Sequence, residues 1–442
     1  MRGGLQRAAW QSATALRLAT PAGAAAAADP TRAWGGTWMV AAALLAVLSV
    51  RVAEVIPALS AIRPAILTAC VSLALLAVKT RAAAWRDLWR QPQYRRVLAY
   101  IGVVIVMIPL SLWPGRSISI AQTMVLFDIL LVSAVMLCAP TRRTLERLLT
   151  TFVVSTTVYA LAAIRAGAVV ESDRLTTLGS YDANDLAALM CVALPMACAL
   201  IVRRNAGWHR IVGLACAPVL CFTITLTGSR GGLVAMIVGA VVLLGGFNPA
   251  RLVPVALALT LAAPVVWNSA PETFRTRART ILALEEDYNT QSTSGRTYIW
   301  KRGVAFFVGS PLIGVGAGNF DTRLGRDFEA RGTGGAWHTA HNTLIQVFVE
   351  LGVLGGALFV ALLVGCFRAA GRVYRARGAP VGTAAAHYPE LMAGFASFCA
   401  SGMFLSHGYT HLTFFLFALG GFATRVFDVE LGPRRGARAR RG

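Results

Sequence analysis

Apolar segments of membrane-spanning length recur along nearly the whole chain, and this pattern limits the fold more than any other feature. A helix needs about 20 mainly apolar residues to cross the hydrocarbon core of a bilayer. Such runs lie near residues 37–58, 62–78, 97–113, 118–138, 145–165, 184–202, 209–226, 231–246, 251–268, 342–367, 387–406 and 410–427. Only 14% of the 442 residues are charged, against about a quarter in an ordinary soluble domain. The sequence therefore predicts an all-α polytopic membrane protein with about twelve transmembrane helices.

Lysine and arginine are divided unevenly between alternate loops. Most of the 42 lie in short loops on the side that also holds both termini. Short, positively charged loops remain on the cytoplasmic side of a membrane. Both termini are therefore expected in the cytoplasm, and residues 165–183, 227–231, 269–341 and 406–411 on the opposite, outer side.

This topology divides the chain into successive segments. They are a cytoplasmic leader (1–36), a first group of transmembrane helices (37–268), a large outer loop with short helices (269–341), a second group of transmembrane helices (342–427) and a basic cytoplasmic tail (428–442). Within the outer loop, residues 295–308 are predicted to form an amphipathic helix at the membrane surface.

The composition also limits the partners. The net charge of +22 does not indicate nucleic-acid binding, because the basic residues mostly flank apolar runs. The 8 cysteines lie inside or at the ends of these runs without a CxxC motif, which is typical of small buried hydrophobic residues rather than of disulfides or metal ligands. Membrane lipids are expected partners, and nucleic acid is not.

Two outer arginines stand in patterns suited to anion binding. Arg230 lies in the turn LTGSRGGL between two apolar runs, where glycines expose backbone N–H groups at the start of a helix. Arg296 opens the amphipathic helix in TSGRTYIWKRG. The structural alternatives are a charge that anchors a tight turn for Arg230 and a lipid headgroup contact for Arg296.

A third outer arginine, Arg174, lies in ESDRLTTLGSYDAND. It precedes Asn184 and Asp185, which are predicted to cap the next helix. Its structural alternative is an ion pair with Asp173 or Asp182.

A histidine pair precedes the run that begins at residue 342. His341 starts the segment HNTLIQVFVELGVLGG, and a histidine at the mouth of a helix can act as a general base or simply cap and hydrate the helix end. His338 is the alternative base. Glu350 falls on the opposite face of the helix and needs a partner elsewhere in the bundle. Gly352 is expected to allow close helix contact.

The sequence contains little that indicates a metal-binding or nucleotide-binding site. His407 and His411 lie on the outer side with the histidine pair, but no cysteine or clearly placed aspartate completes a zinc site. PLIGVGAGNF (311–320) lacks the preceding strand of a dinucleotide loop, so its glycines are expected to shape a loop over another ligand. We expect no metal and no cofactor.

Taken in order, these motifs resemble those of the bacterial lipopolysaccharide O-antigen ligase family, within the wider O-antigen ligase/polymerase superfamily. The resemblance covers roughly residues 170–360 and consists of Arg174 and Asn184, TGSRGG, SGR-x-x-x-W, PLIGVGAGNF, and HN followed by Gly352 and Gly355. It implies transfer of a finished glycan from undecaprenyl pyrophosphate to a sugar hydroxyl of lipid A–core. The outer side would then be the periplasmic face of the bacterial inner membrane.

The resemblance also implies roles for the outer residues. His341, or His338, would remove the proton of the acceptor hydroxyl. Arg230 and Arg296, assisted by Arg174, would neutralise the diphosphate leaving group. Direct attack would invert the anomeric carbon, without metal or nucleotide.

Other functions compete with this one. An O-antigen polymerase would join the same donors to each other, and a protein O-oligosaccharyltransferase would use a protein acceptor. A lipid-linked glycan transporter should carry charges along a central cavity on both sides of the membrane midplane, whereas these charges gather at the outer mouth.

Overall fold

The computed structural model describes residues 35–167, 169–170, 174–176, 182–202, 207–245, 253, 257, 264, 267–268, 270–279, 295–332, 337–375 and 388–431. The predicted span 251–268 lies mostly outside these residues, as do most of the leader and the tail beyond residue 431.

The described residues form a helical bundle with one small antiparallel strand pair. The helices are α1 (Thr37–Val50), α2 (Val52–Val55), α3 (Pro64–Lys79), α4 (Ala82–Arg90), α5 (Pro92–Val106), α6 (Pro114–Thr123), α7 (Ile129–Leu137), α8 (Arg142–Ala166), α9 (Ala183–Val202), α10 (Trp208–Thr227), α11 (Arg230–Gly245), α12 (Glu272–Arg279), α13 (Arg296–Gly309), α14 (Phe320–Ala330), α15 (Thr343–Arg375), α16 (Tyr388–Gly402) and α17 (His411–Leu431). Single turns of 3₁₀-helix cover Pro57–Ile62 and Ile108–Leu110, and a π-helical turn, Met124–Asp128, joins α6 to α7.

Six of the described helices, or seven if the bent pair α3–α4 counts as one span, are long and apolar enough to cross a membrane. The protein is thus a polytopic helical membrane protein, as the sequence predicts, while the total number of spans stays a prediction. The bend between α3 and α4 is 108°.

Close helix contacts hold the bundle together. Helix α9 packs against α10, α11 against α16, and α15 against α17 and α5. At the α11–α16 contact, a side chain on Gly239 would overlap Ser397, whose hydroxyl donates to the carbonyl of Ala235 at 3.1 Å. Small residues that let helices approach closely are typical of membrane bundles, where apolar burial between helices contributes little.

Two predicted spans were too long. The run 37–58 is helical in α1 only to Val50, because Arg51 takes a left-handed backbone (φ 49°) and pairs with Glu54 at 2.6 Å. The run 97–113 leaves α-helix after Val106, because the prolines at 109 and 114 cannot continue the helical hydrogen bonds. Both segments remain apolar overall despite these breaks. Hydropathy alone therefore does not predict where the two helices end.

Other boundaries also differ from the prediction. Helix α17 continues to Leu431, past the predicted start of the tail at 428. The amphipathic helix predicted at 295–308 is confirmed as α13, but its residues Ile299, Gly303 and Phe306 are buried against α14 and α15 rather than facing lipid alone. The strands β1 (Val169–Val170) and β2 (Arg174–Leu175) were not predicted, and they pair Val170 with Arg174.

A break in α15 is where the glycine-rich segment 311–320 docks. Gly352 has φ 64° and ψ −166°, which interrupts the helix. Val353 therefore donates its N–H to the carbonyl of Pro311 at 2.7 Å, and the carbonyl of Val349 accepts from Val315 at 3.0 Å. The segment satisfies backbone groups that the break would otherwise leave unpaired inside the bundle.

Glu350 binds the same segment with its side chain. This carboxyl group is 1% exposed and accepts from the backbone N–H groups of Gly318 at 2.8 Å and Phe320 at 3.1 Å. The expected partner of Glu350 is thus the backbone of the glycine-rich segment. The glycines close the segment onto α15, which differs from the predicted loop over a ligand.

We expect Gly352→Ala to lower the stability of the fold by about 2 kcal/mol or more, since an L residue would hold a left-handed backbone and its Cβ would overlap a carbonyl. The added Cβ would lie 2.3 Å from the carbonyl oxygen of Leu312. Thermal unfolding in detergent measures the effect. Gly102→Ala is the matched control, because its Cβ would meet no atom within 4 Å. Equal melting temperatures for the two variants would contradict this account of the break.

Candidate active site at one end of the bundle

Arg174 is held between the two helices that follow it. Its Nε donates to the carbonyl of Thr227 at the end of α10 (2.8 Å), and its Nη2 donates to Oδ1 of Asn184 at the start of α9 (2.8 Å). The same Oδ1 accepts from the hydroxyl of Ser229 at 2.9 Å. Asn184 therefore links Arg174 to the SRGG turn. Of the two aspartates predicted to pair with Arg174, Asp173 lies outside the described residues, and the charge of Asp182 raises the pKa of Arg174.

Asp185, one of the predicted pair, takes part in the cap of α9 by accepting the backbone N–H of Asp182 at 3.4 Å, and the N-cap residue itself is Asp182. Its Oδ1 accepts the backbone N–H groups of Asn184 at 2.7 Å and Asp185 at 2.8 Å. A carboxylate in this position satisfies the first free N–H groups of a helix. The side chains of Asn184 and Asp185 are consequently available for contacts across the site.

Four arginines lie close together around this turn. Burial, together with the charges of Arg277, Arg296 and Arg230, lowers the pKa of Arg174 to about 10. Arg277, on α12, and Arg174 both flank Gly228, whose Cβ position is 3.6 Å from Cδ of Arg277 and 3.7 Å from Cγ of Arg174. The structure therefore brings together the three predicted arginines and adds Arg277, which the sequence showed only as one of several charges in the outer loop.

Helix α13 connects Arg296 to both the turn and the histidine segment. The guanidinium of Arg296 lies 5.9 Å from the centre of the Phe404 ring, and Phe404 also packs against Gly231 of the turn. One helical turn further on, Nε1 of Trp300 donates to the carbonyl of Ala340 at 3.1 Å. These contacts fix Arg296 next to the segment that carries His341.

His341 is held in an unusual backbone conformation. Its φ is 46°, a left-handed value that costs about 1–3 kcal/mol for a residue with a side chain and that is found most often at functional sites. Its backbone N–H donates to the hydroxyl of Ser406 at 3.0 Å, and its Nδ1 lies 3.5 Å from the hydroxyl of Thr339. The loop between α16 and α17 thus fixes the position of His341.

The surroundings of His341 favour the neutral imidazole. Burial lowers its pKa below the ordinary 6.5, and the positive charges of Arg296 and His338 lower it further, while Asp182 and Asp185 act in the opposite direction. A neutral histidine can accept a proton near pH 7. His341 therefore lies within electrostatic reach of Arg296, and His338 lies within reach of His341.

Asn342 has a structural role next to His341. Its Oδ1 accepts the N–H groups of Leu344 and Ile345, each at 3.0 Å, which caps α15. Its Nδ2 donates to the carbonyl of Met403 at 3.4 Å. The HN motif thus combines a titratable side chain with the cap that positions it.

A second histidine–carboxylate pair borders the site. Nε2 of His407 lies 2.8 Å from Oδ1 of Asp185, and the His407 side chain is 4% exposed. The hydroxyl of Thr343 accepts the N–H of His407 at 3.0 Å. Sequence reasoning missed this pair, although a histidine inside a tight polar turn needs a hydrogen-bond partner when buried.

The outer histidines do not form a metal cluster in the described part of the chain. His407 binds Asp185, whereas His411 binds a different carboxylate, Asp128, at 2.6 Å. Among the described residues, no group of at least 3 His, Cys, Asp or Glu side chains is arranged to hold a metal ion.

Part of the chain is similar to a known protein family. Residues 215–360 match a family model described as O-antigen ligase, and the match includes Arg230, Arg296, His338 and His341. No curated protein matches the chain. This match over residues 215–360 confirms the resemblance seen in the motifs. The family consists of membrane glycosyltransferase-type enzymes of the ligase/polymerase superfamily.

We expect Asn342→Ala to destabilise the protein by about 1 kcal/mol, because α15 loses its N-cap. Asn342→Asp is the conservative control, since a carboxylate oxygen can accept the same two N–H groups. Thermal unfolding in detergent separates the variants. A loss of stability as large in Asn342→Asp as in Asn342→Ala would rule out capping as the role of this side chain.

Proposed function

We propose that the protein is an O-antigen ligase that transfers a glycan from undecaprenyl pyrophosphate to a sugar hydroxyl of lipid A–core, with inversion and without metal or nucleotide. The observation that carries the proposal is the grouping of Arg230, Arg277 and Arg296 within electrostatic reach of Arg174 at one end of the bundle, with Arg296 also within reach of His341.

The arginine cluster suits a diphosphate leaving group. A polyprenyl diphosphate gains negative charge as its bond to the anomeric carbon breaks. Guanidinium groups donate paired hydrogen bonds to phosphate oxygens and remain charged at every physiological pH. Because the cluster is partly buried, its charges are screened less than on an open surface, which favours the stabilisation of that developing charge.

His341 is the proposed general base. It would remove the proton of the acceptor hydroxyl while the oxygen forms a bond to the anomeric carbon and the diphosphate departs from the opposite face. The electron pair of the broken C–O bond stays with the diphosphate, and the proton stays on His341. His338 is the alternative base, and its charge would act on His341 through their proximity.

The proposed setting follows the charge distribution of the loops. The site would face the periplasm, with both termini in the cytoplasm, so a preactivated lipid-linked donor supplies all the free energy of transfer. A neutral resting base and a cationic anion site suit such a reaction. The charges at one end of the bundle favour an enzyme over a transporter with a central charged cavity.

A reconstituted transfer assay tests the proposal. Purified protein in liposomes receives undecaprenyl-pyrophosphate glycan and lipid A–core, with chelator and without nucleotide. We expect His341→Ala to reduce the rate of transfer about 100-fold or more, and Arg230→Ala and Arg277→Ala to reduce it about 100-fold each. Lys301→Gln is the control, because this exposed cation lies on α13 away from the cluster.

The products distinguish the alternatives. Longer chains on the donor lipid, without modified lipid A–core, would identify a polymerase, and a glycosylated protein acceptor would identify an oligosaccharyltransferase. Donor moved across the membrane without any new glycosidic bond would identify a transporter and would refute the proposed chemistry.

The pH profile tests the base separately. Because the pKa of His341 lies below 6.5, we expect the acidic limb of the rate profile to have its midpoint below that value, with activity lost as pH falls and the imidazole becomes protonated. Asp182→Asn removes a charge that raises this pKa but keeps an oxygen that can cap α9. The acidic limb should therefore move further toward low pH. A midpoint that stays in place or moves to higher pH would contradict the assignment of His341.

A further inference from the structure

A second pocket lies away from the arginine cluster, beside the first helices. It has a volume of about 340 Å³ and is formed by the end of α1, α2, the following 3₁₀ turn, the start of α3 and His411. This volume falls in the range of about 300–1,000 Å³ that is typical of small-molecule sites. Its polar lining consists of Arg51, Glu54, Ser60, Arg63 and His411.

Two arginines of this pocket have left-handed backbones, with φ 49° for Arg51 and φ 45° for Arg63. Within the described part of the chain, His341 is the one other residue besides glycine with positive φ. Such a conformation is unfavourable for a residue with a side chain, and it tends to persist at functional sites. Arg51 ends α1 and Arg63 ends the following 3₁₀-helix, so these left-handed residues turn the chain and place both arginines at the pocket.

The charges of the pocket leave one cation in excess. Arg51 pairs with Glu54 at 2.6 Å, and Glu54 also accepts from the hydroxyl of Tyr159 at 3.1 Å. The side chain of Arg63 is exposed and has no ion pair among the described residues. Arg63 is therefore placed to meet an anion that enters the pocket.

His411 places an imidazole ring at the same pocket. Its Nδ1 lies 2.6 Å from Oδ1 of Asp128, which is 0% exposed and ends the π-helical turn between α6 and α7. Single π-helical turns occur frequently at functional sites. With Nδ1 bound to Asp128, Nε2 is the ring atom left for a ligand.

We propose that this pocket binds the phosphate-bearing headgroup of a membrane lipid. The phosphate contacts Arg63, Ser60 and Nε2 of His411. The acyl chains lie along the outer face of α3, where Ile66, Leu67 and Val71 are 42%, 54% and 50% exposed. An exposed apolar helix face that adjoins a cationic pocket matches an amphiphile better than a free anion. The inference goes beyond the proposed glycosyl transfer and does not depend on it.

Native mass spectrometry of the purified protein in detergent tests the site. The probe is dioleoyl phosphatidic acid, and dioleoylglycerol is the neutral comparison. We expect phosphatidic acid to be retained, and Arg63→Gln and His411→Gln each to weaken its binding about tenfold, because each removes a side chain that contacts the phosphate. Arg165→Gln is the control, since Arg165 is also exposed and lies near the end of α8 outside the pocket.

Three results would overturn the proposal. The first is retention of phosphatidic acid by Arg63→Gln at the level of the unaltered protein. The second is a loss of phosphatidic acid binding in Arg165→Gln that is as large as the loss in Arg63→Gln. Because Arg63 is exposed, its replacement should leave the melting temperature unchanged, which separates loss of binding from misfolding. The third is displacement of phosphatidic acid by an equal concentration of glycerol 3-phosphate, which would show that the pocket recognises the free phosphate ester instead of the lipid.

Discussion

The grouping of like charges at the helix ends is the constraint on which the rest of this site depends. Positive side chains repel each other, and partial burial makes the repulsion stronger. Arg174 can stay charged there because Thr227 and Asn184 accept its hydrogen bonds. Asn184 accepts from Ser229 as well, so one side-chain amide oxygen joins a strand, a helix start and a tight turn. The cation cluster is therefore a property of the packed bundle and would not persist in the isolated segments.

Helix α15 links the candidate site, at its first turn, to the buried interior of the bundle, at its break. Its first turn is capped by Asn342 next to His341, and further along it breaks at Gly352 to receive the glycine-rich segment. That segment leads directly into α14, while α13, which precedes it, carries Arg296. A buried carboxyl group, Glu350, thus helps to set the path of the chain that holds the anion site, although it lies away from the site itself.

Several elements of the site could be predicted because each depends on local pattern. The apolar runs indicated the helices, the alternation of charged loops placed Arg174, Arg230, Arg296 and His341 on one side, and the SGR segment opened a helix as expected. The N-cap residue of α9 and the partner of Glu350 were not found. Each of these two contacts depends on which of several nearby polar side chains reaches a backbone N–H group. The spacing of residues along the sequence leaves more than one candidate side chain.

The sequence by itself determined that the chain is a helical membrane protein in which the candidate arginines and histidines lie in a few segments between apolar runs, since hydropathy and charge act over short distances along the chain. The tertiary structure decided which of those groups meet. Arg277 joined the cluster, His407 paired with Asp185, and His411 separated from the other histidines to pair with Asp128. These pairings connect residues far apart in sequence, and they arise only when helix packing brings their ends to the same place.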